Sequence, residues 1–467
     1  MARRLSRFSF SKTESAAMQD TGWADGLRGI AAVGVVASHL VICYARAIIP
    51  PCCGENEDRP LLFQLPILRL VAAGHSWVAI FFILMGFVNA LKPLQLVRSG
   101  QAESALDKLA KSSFSRILRL MLPATLATLI SWLFCQLGFY ETARKSDAYW
   151  LRMNTPAPSS SVAWALHDLV TALKQTWMFS YINIYDQPQW ALIYLLQGSF
   201  MVIGALLLTA RMSPRWRTGA LILLTLWTLD LSRAVSDPFT GPASIAGILL
   251  AELSLTFYPQ RLSSLSKFLT APLCLFSLFL MSYTDIAWDQ ASWTTVLFKF
   301  ASRYLPMDNI GGYERTYGTI GAIVLIFSIV NSPTMRWLLS RKPLRFLGRI
   351  SFAIYLLHGI VLRSVFAWVL FFGTNKTEFV ATESDEISHE HRYPVPGIVH
   401  CGVATVIAGI IILAASHIWN AIVEPWFGQI TSVAEDVVTG RVALKSLFVC
   451  GTTAEDEKDL VLPIRED

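Results

Sequence analysis

Three ionisable residues sit in one apolar run, Trp23-Ala-Asp-Gly-Leu-Arg-Gly-Ile-Ala-Ala-Val-Gly-Val-Val-Ala-Ser-His39. A neutral imidazole such as His39 can take a proton near pH 7, and a guanidinium such as Arg28 can hold an anion. Eleven positions separate the two, about three helical turns with roughly 20° of residual rotation. A single helix would therefore place both on one face, about 16 Å apart along the axis. Asp25, three positions before Arg28, can meet it on that face. The simpler alternative is a snorkelling Arg28 and a helix-packing His39.

Three further stretches carry the same tension between chemistry and packing. Arg116 and Arg119, in Phe114-Ser-Arg-Ile-Leu-Arg-Leu-Met-Leu-Pro123, share a helical face and could grip a phosphate, or simply mark a cytosolic helix end. Ser351, Tyr355 and His358 form one polar stripe at i, i+4 and i+7, which can line a cavity or glue helices together. The run from Gly74 to Phe87 is rich in small and aromatic residues, and its glycines permit close helix approach.

These residues need a scaffold, and composition says what kind. Of 467 residues, 54% are hydrophobic and 15% charged, with 15 Trp and 27 Phe. A soluble domain carries about a quarter charged residues, so the deficit predicts a polytopic membrane protein that uses the lipid bilayer as solvent. The fold class is all-α, a helix bundle with about ten candidate spans by hydropathy. They fall near 27–49, 71–91, 117–139, 190–210, 217–233, 241–258, 268–288, 314–332, 346–372 and 397–423. The weakest are 217–233 and 241–258, interrupted by Asp230, Arg233 and Glu252. Residues 160–180 have the pattern of an interfacial amphipathic helix. Three regions result: a basic leader over 1–22, a membrane domain over 23–430 and a polar tail over 431–467.

Lys and Arg fall in alternate connections, from Arg3, Arg4, Arg7 and Lys12 of the leader to Arg336, Arg341, Lys342, Arg345 and Arg349. The positive-inside rule then predicts both termini in the cytosol, in an endomembrane or the plasma membrane. The leader reads as an uncleaved anchor, having no small-residue cleavage site. The sequon Asn375-Lys-Thr377 falls in a connection assigned to the opposite side, where Asn375 would be a glycosylation acceptor. Cys52, Cys53 and Cys135 also fall near that side, where a disulfide is permitted, although free buried cysteines are the simpler expectation. No C-x-x-C pair occurs, which argues against a structural metal site. The net charge of +6 is spread between apolar runs and gives no reason to expect a nucleic-acid partner.

Taken together and in this order, the motifs resemble the acyltransferase-3 family of integral membrane acyltransferases, particularly its fungal branch. Asp25-Gly-Leu-Arg-Gly-Ile-Ala-Ala with His39 is similar to the family's opening signature, and Val78 to Gly86 to its second-span motif. Arg116, Arg119 and Pro123 resemble its arginine motif, Gly348 to His358 its late S-x-x-x-Y-x-x-H pattern, and Val423-Glu-Pro425 its closing motif. Two positions depart. Met85 stands where the family usually has Ser, and Leu195 and Gln197 stand where fungal members have Glu and then Arg. Any role of that Glu is either rerouted in this chain or lost with its activity.

The resemblance implies transfer of an acyl group, most often acetyl, from acyl-CoA as co-substrate, with no bound cofactor, to a small-molecule hydroxyl. It implies His39 as base, Arg28, Tyr355 or His358 as oxyanion donors, Asp25 and Ser351 as orienting groups, and Arg116 and Arg119 on the CoA phosphates. The acceptor expected is a secondary metabolite, with a cell-surface polysaccharide second and a lipid third. A proton-coupled transporter using Arg28, His39 and His358 is the competing class, weakened by the absence of an internal repeat.

Overall fold

The computed structural model describes residues 21–52, 59–178, 183–234, 237, 239–257, 263–305, 312–383 and 386–441. The leader up to residue 20, Cys53 and the tail from 442 lie outside the described residues. So do both termini, and with them the expectation for their side of the membrane.

The chain is a helix bundle. In order, α1 spans Gly22–Tyr44, α2 Gly74–Arg98, α3 Ala102–Gln136, α4 Val162–Trp177 and α5 Trp190–Thr209. Then come α6 Pro214–Ala234, α7 Thr240–Phe257, α8 Ser263–Met281, α9 Ser292–Tyr304 and α10 Gly312–Val330. The last group is α11 Pro333–Leu339, α12 Lys342–Arg349, α13 Ser351–Val361 and α14 Ile398–Val438. Each of the ten apolar stretches is helical. Among the described residues, however, six helices are long and apolar enough to cross a bilayer, seven if α10 and α11 count as one span bent by 101°. The expected count of ten is thus not reached. α6 carries Arg215, Arg217, Asp230 and Arg233 along its length, and the apolar parts of α7 and α8, Thr240–Thr256 and Phe268–Met281, are short.

Glu252, which interrupts α7, is fully buried and held from two sides, by Arg98 at 2.8 Å and Arg217 at 3.2 Å. A carboxylate enclosed by two guanidiniums in this way has its charge compensated where water cannot reach it. Within the 160–180 stretch, α4 is helical over Val162–Trp177, with the Ser161 hydroxyl accepting from the Trp164 amide as an N-cap.

Two features had no sequence expectation. The connection after residue 373 forms an antiparallel hairpin, β1 Thr377–Glu383 with β2 Glu386–Arg392, registered Thr377 to Arg392. Asn375 is exposed just before it. The helix after α13 passes through a π turn, Leu362–Phe366, before Ala367–Leu370. Of the cysteines considered for a disulfide, Cys135 is a buried free thiol, while Cys52 is disulfide-bonded. The expectation of free thiols is therefore corrected at Cys52.

Glycine fixes how closely the central helices approach. A Cβ on Gly86 of α2 would lie 2.0 Å from the Ser244 carbonyl oxygen of α7, and one on Gly247 2.2 Å from the Ile83 carbonyl oxygen. α1 meets α12 in the same manner, through Gly29 and Gly348. Bare backbone contact of this kind is what small residues allow between helices in a membrane. Gly86→Ala must push α7 away, and we expect it to cost on the order of 3 kcal/mol, read as a lower unfolding midpoint in detergent.

Candidate active site

Two cavities lie end to end in the bundle. The first, about 390 Å³, is lined by Ser38 and His39 of α1, His75 of α2, Trp150, Gln187, Trp190 and Glu314 of α10. The second, about 400 Å³, lies toward the opposite end of α1 and is lined by Asp25, Arg28, Asn89, Arg116, Ser351 and Glu424. Val78 and Tyr355 face both, so they form a shared wall. A more open groove of about 330 Å³ continues outward from the second cavity past Met85, Arg116, Leu195 and Phe352, and adds Arg119, Ser112 and Ser115.

His39 and His358 meet across 319 residues. His358 Nδ1 lies 2.8 Å from the Tyr355 carbonyl oxygen and 3.1 Å from that of Ile354. Carbonyl oxygens only accept, so Nδ1 of His358 bears the proton and Nε2 is an acceptor. That Nε2 lies 3.2 Å from His39 Nδ1, which must donate; the Val35 carbonyl oxygen, 3.1 Å away, is a second acceptor for the same proton. With both rings neutral, the lone pair of His39 is therefore on Nε2. The tautomer is assigned from this network. The His39 ring is half-buried and packs 4.9 Å from Trp150. His358 is fully buried and lines neither cavity.

At the other end, the Arg28 guanidinium pairs with Asp25 at 2.8 Å and reaches the Gly348 carbonyl oxygen at 3.3 Å. Arg116 donates to Asn89 at 2.5 Å and to the Ser199 hydroxyl at 3.2 Å. Arg119 is exposed in the groove. Glu424 contributes a buried carboxylate oxygen with no hydrogen-bond partner.

Several expectations change here. Arg28 and His39 lie in different cavities, so Arg28 is remote from any oxygen that His39 activates. Tyr355 donates its hydroxyl to the Pro188 carbonyl and Ser351 donates to the Gly348 carbonyl at 2.8 Å. Neither hydroxyl proton is free for an oxyanion in this arrangement. His75 and Gln187, on the His39 cavity wall, carry side-chain N–H groups that can serve instead. The polar stripe of α13 does not face one space: Ser351 lines the Arg28 cavity, Tyr355 stands between the two, and His358 lies behind the wall. The Asp25–Arg28 contact, and the shared groove of Arg116 and Arg119, are as the spacing implied. Leu195 lies at the junction of groove and cavity. Gln197 lines neither, and its side-chain oxygen is buried without a partner. Among the described residues no three His, Cys, Asp or Glu side chains converge as a metal site.

Sequence reasoning missed a buried ion pair behind the wall. Arg363 and Asp186 are both wholly enclosed and lie 3.1 Å apart. Arg363 gave a signal, since it is a lone charge inside an apolar span; Asp186 is in a connection and gave none. Glu314 and Arg69, both on the His39 cavity, were also missed.

A helical membrane domain with a half-buried imidazole on one cavity and arginines on another has the makings of an acyl-transfer site. The acyltransferase-3 family model, described as an acyltransferase domain, matches residues 21–415, and the chain belongs to that family. It is therefore a multi-pass membrane enzyme that transfers acyl groups. It is similar to the O-acetyltransferase PaAT-1 of Phomopsis amygdali, with 25% identity over 403 residues, 77% of this chain and 75% of that protein. The acyltransferase R4 of a Phoma species is 23% identical over 402 residues, 74% and 85% of the two chains. The acyltransferase clz18 of Cochliobolus lunatus is 23% identical over 412 residues, 75% and 85%. No solved structure matches the chain.

Proposed function

We propose that the chain moves an acyl group, acetyl in the simplest case, from acyl-CoA to a hydroxyl of a small natural product. The observation that carries this reading is the pair of cavities sharing one wall, with His39 on one side and Arg116 and Arg28 on the other. The arginine cavity and its groove take the donor. Arg119 at the rim and Arg116 further in meet the CoA phosphates, which guanidiniums bind by charge-assisted hydrogen bonds. By the positive-inside rule this end faces the cytosol, where acyl-CoA is made. Asp25 orients Arg28.

The His39 cavity takes the acceptor. His39 Nε2 removes the hydroxyl proton as the oxygen attacks the thioester carbon. The C–O bond forms, the C–S bond breaks, and the proton passes from His39 to the CoA sulfur. His358 acts through His39, holding its Nδ1 proton in place, and is a positioning residue. His75 and Gln187 supply donors to the developing oxyanion, the stabilisation acyl transfer most needs. The cavity's size is that of a small-molecule site, and its walls of Trp150, Trp190 and Tyr149 suit a compact, partly apolar acceptor better than a polymer. The acetyltransferase name of the Phomopsis relative supports an acetyl donor.

Arg116→Ala tests the donor end. We expect its KM for acyl-CoA to rise at least tenfold with the acceptor KM within twofold, measured in steady-state assays on purified protein. Equal changes in both constants would contradict the assignment of the arginine cavity to the donor.

A further inference from the structure

The wall between the two cavities is held from behind by one buried network. Tyr355 donates its hydroxyl to the Pro188 carbonyl, so the short segment 186–189 is the other half of the wall's anchorage. That segment is fixed by Asp186. Its Oδ2 accepts from Gln189 at 2.9 Å and its Oδ1 from Arg363 at 3.1 Å. Arg363 sits in the π turn, where an extra residue per turn re-aims a side chain. It also donates to the Gly359 carbonyl at 2.9 Å and to the Asn154 carbonyl at 3.4 Å. Asn154 is itself on the His39 cavity. A Cβ on Gly359 would lie 2.7 Å from Asp186 Oδ1, so the carboxylate rests directly on bare helix backbone. One buried guanidinium therefore ties together three elements that meet at the wall.

We propose that the Asp186–Arg363 pair is a positioning element that keeps the Tyr355–Pro188 wall closed around the donor, and so sets whether the acyl group goes to acceptor or to water. Two outcomes compete at the thioester. In transfer, the acceptor oxygen bonds to the acyl carbon, the C–S bond breaks and the hydroxyl proton ends on CoA sulfur. In hydrolysis, water takes the acceptor's place, and the same C–S cleavage yields a carboxylic acid and CoA thiol. A loosened wall lets water follow the donor in from the open groove beside the arginine cavity and reach the acyl carbon in place of the acceptor. A buried pair that served stability alone would slow or unfold the enzyme without changing this ratio.

This inference rests on the reading of the cavities as donor and acceptor chambers. The test measures CoA released per acylated product, with acetyl-CoA and an accepted hydroxylated metabolite, on purified protein in nanodiscs. The variants are Asp186→Asn, which keeps shape and removes charge, and Gly359→Ala, which keeps both charges and displaces the carboxylate. We expect the ratio, near one in the wild type, to rise at least threefold in each. Tyr355→Phe, which removes only the hydroxyl that meets Pro188, must show the same rise, and it decides the matter if the other two do not fold. A wild-type ratio in every folded variant overturns the proposal. If that happens while Arg116→Ala still raises the KM for acyl-CoA, the chamber reading stands and the wall's role alone is lost. If Arg116→Ala leaves that KM unchanged, the chamber reading itself fails.

Discussion

Replacing His39 by Ala is expected to lower kcat for acyl transfer by about 10³-fold, the middle of the range for a positioned general base. The affinity for acyl-CoA should stay within twofold, because His39 and the arginines line different cavities. His39→Gln should behave alike, since an amide fills much of the ring's space but accepts no proton at neutral pH. A small loss in both variants, with protein that is folded and inserted, would return His39 to a packing role. His358→Gln is expected to cost less than His39→Ala. It can still offer an acceptor near His39 Nδ1, but its orientation is no longer set by the Ile354 and Tyr355 carbonyls. Steady-state kinetics with calorimetric binding of a non-reactive CoA thioether would separate these cases.

Arg363→Ala is expected to be the most destabilising single change in the described bundle. It strips Asp186 of its ion-pair partner at a site with no solvent exposure, and it removes a donor from the carbonyl oxygens of Gly359 and Asn154. Removing one member of a buried pair costs about 3–5 kcal/mol, because the remaining charge has nowhere to be solvated. The double replacement Asp186→Leu with Arg363→Leu removes both charges and should recover part of that loss. Denaturation in mild detergent, followed by tryptophan fluorescence, would show the single variant unfolding well before the double. Arg119→Ala, exposed in the groove, should fall within about 0.5 kcal/mol of the wild type. A single variant as stable as Arg119→Ala would mean that the pair is already solvated.

Much of this architecture could be read from the chain, and the reasons for the remainder are physical. Apolar runs announce helices whatever surrounds them, so all ten stretches are helical. Whether a helix crosses the bilayer also depends on how its charges are neutralised, and Glu252 meets Arg98 and Arg217 only after folding. The Asp25–Arg28 contact and the Arg116–Arg119 groove follow from spacing along single helices. The division into two cavities does not, because it needs α13 and the 186–189 segment to meet between them. The same applies to the His39–His358 contact. Each histidine is visible in its own run, but nothing in either run pairs them. The Ser351 and Tyr355 hydroxyls were read as orienting or oxyanion groups because a periodic stripe shows which face a side chain takes and not what it bonds. The π turn, the hairpin at 377–392 and the buried Asp186 are tertiary in the same sense.

The assignment of this chain as an O-acyltransferase with His39 as its base is decided by acyl transfer from acetyl-CoA with purified protein in nanodiscs, His39→Ala serving as control. A panel of hydroxylated natural products and sugars would be offered, with CoA release and acylated product followed together. That assignment predicts product with at least one small hydroxylated acceptor, no product without acyl-CoA, and loss of both signals in the variant. Undiminished turnover in His39→Ala, or substrate flux that needs an ion gradient and forms no ester, would contradict it.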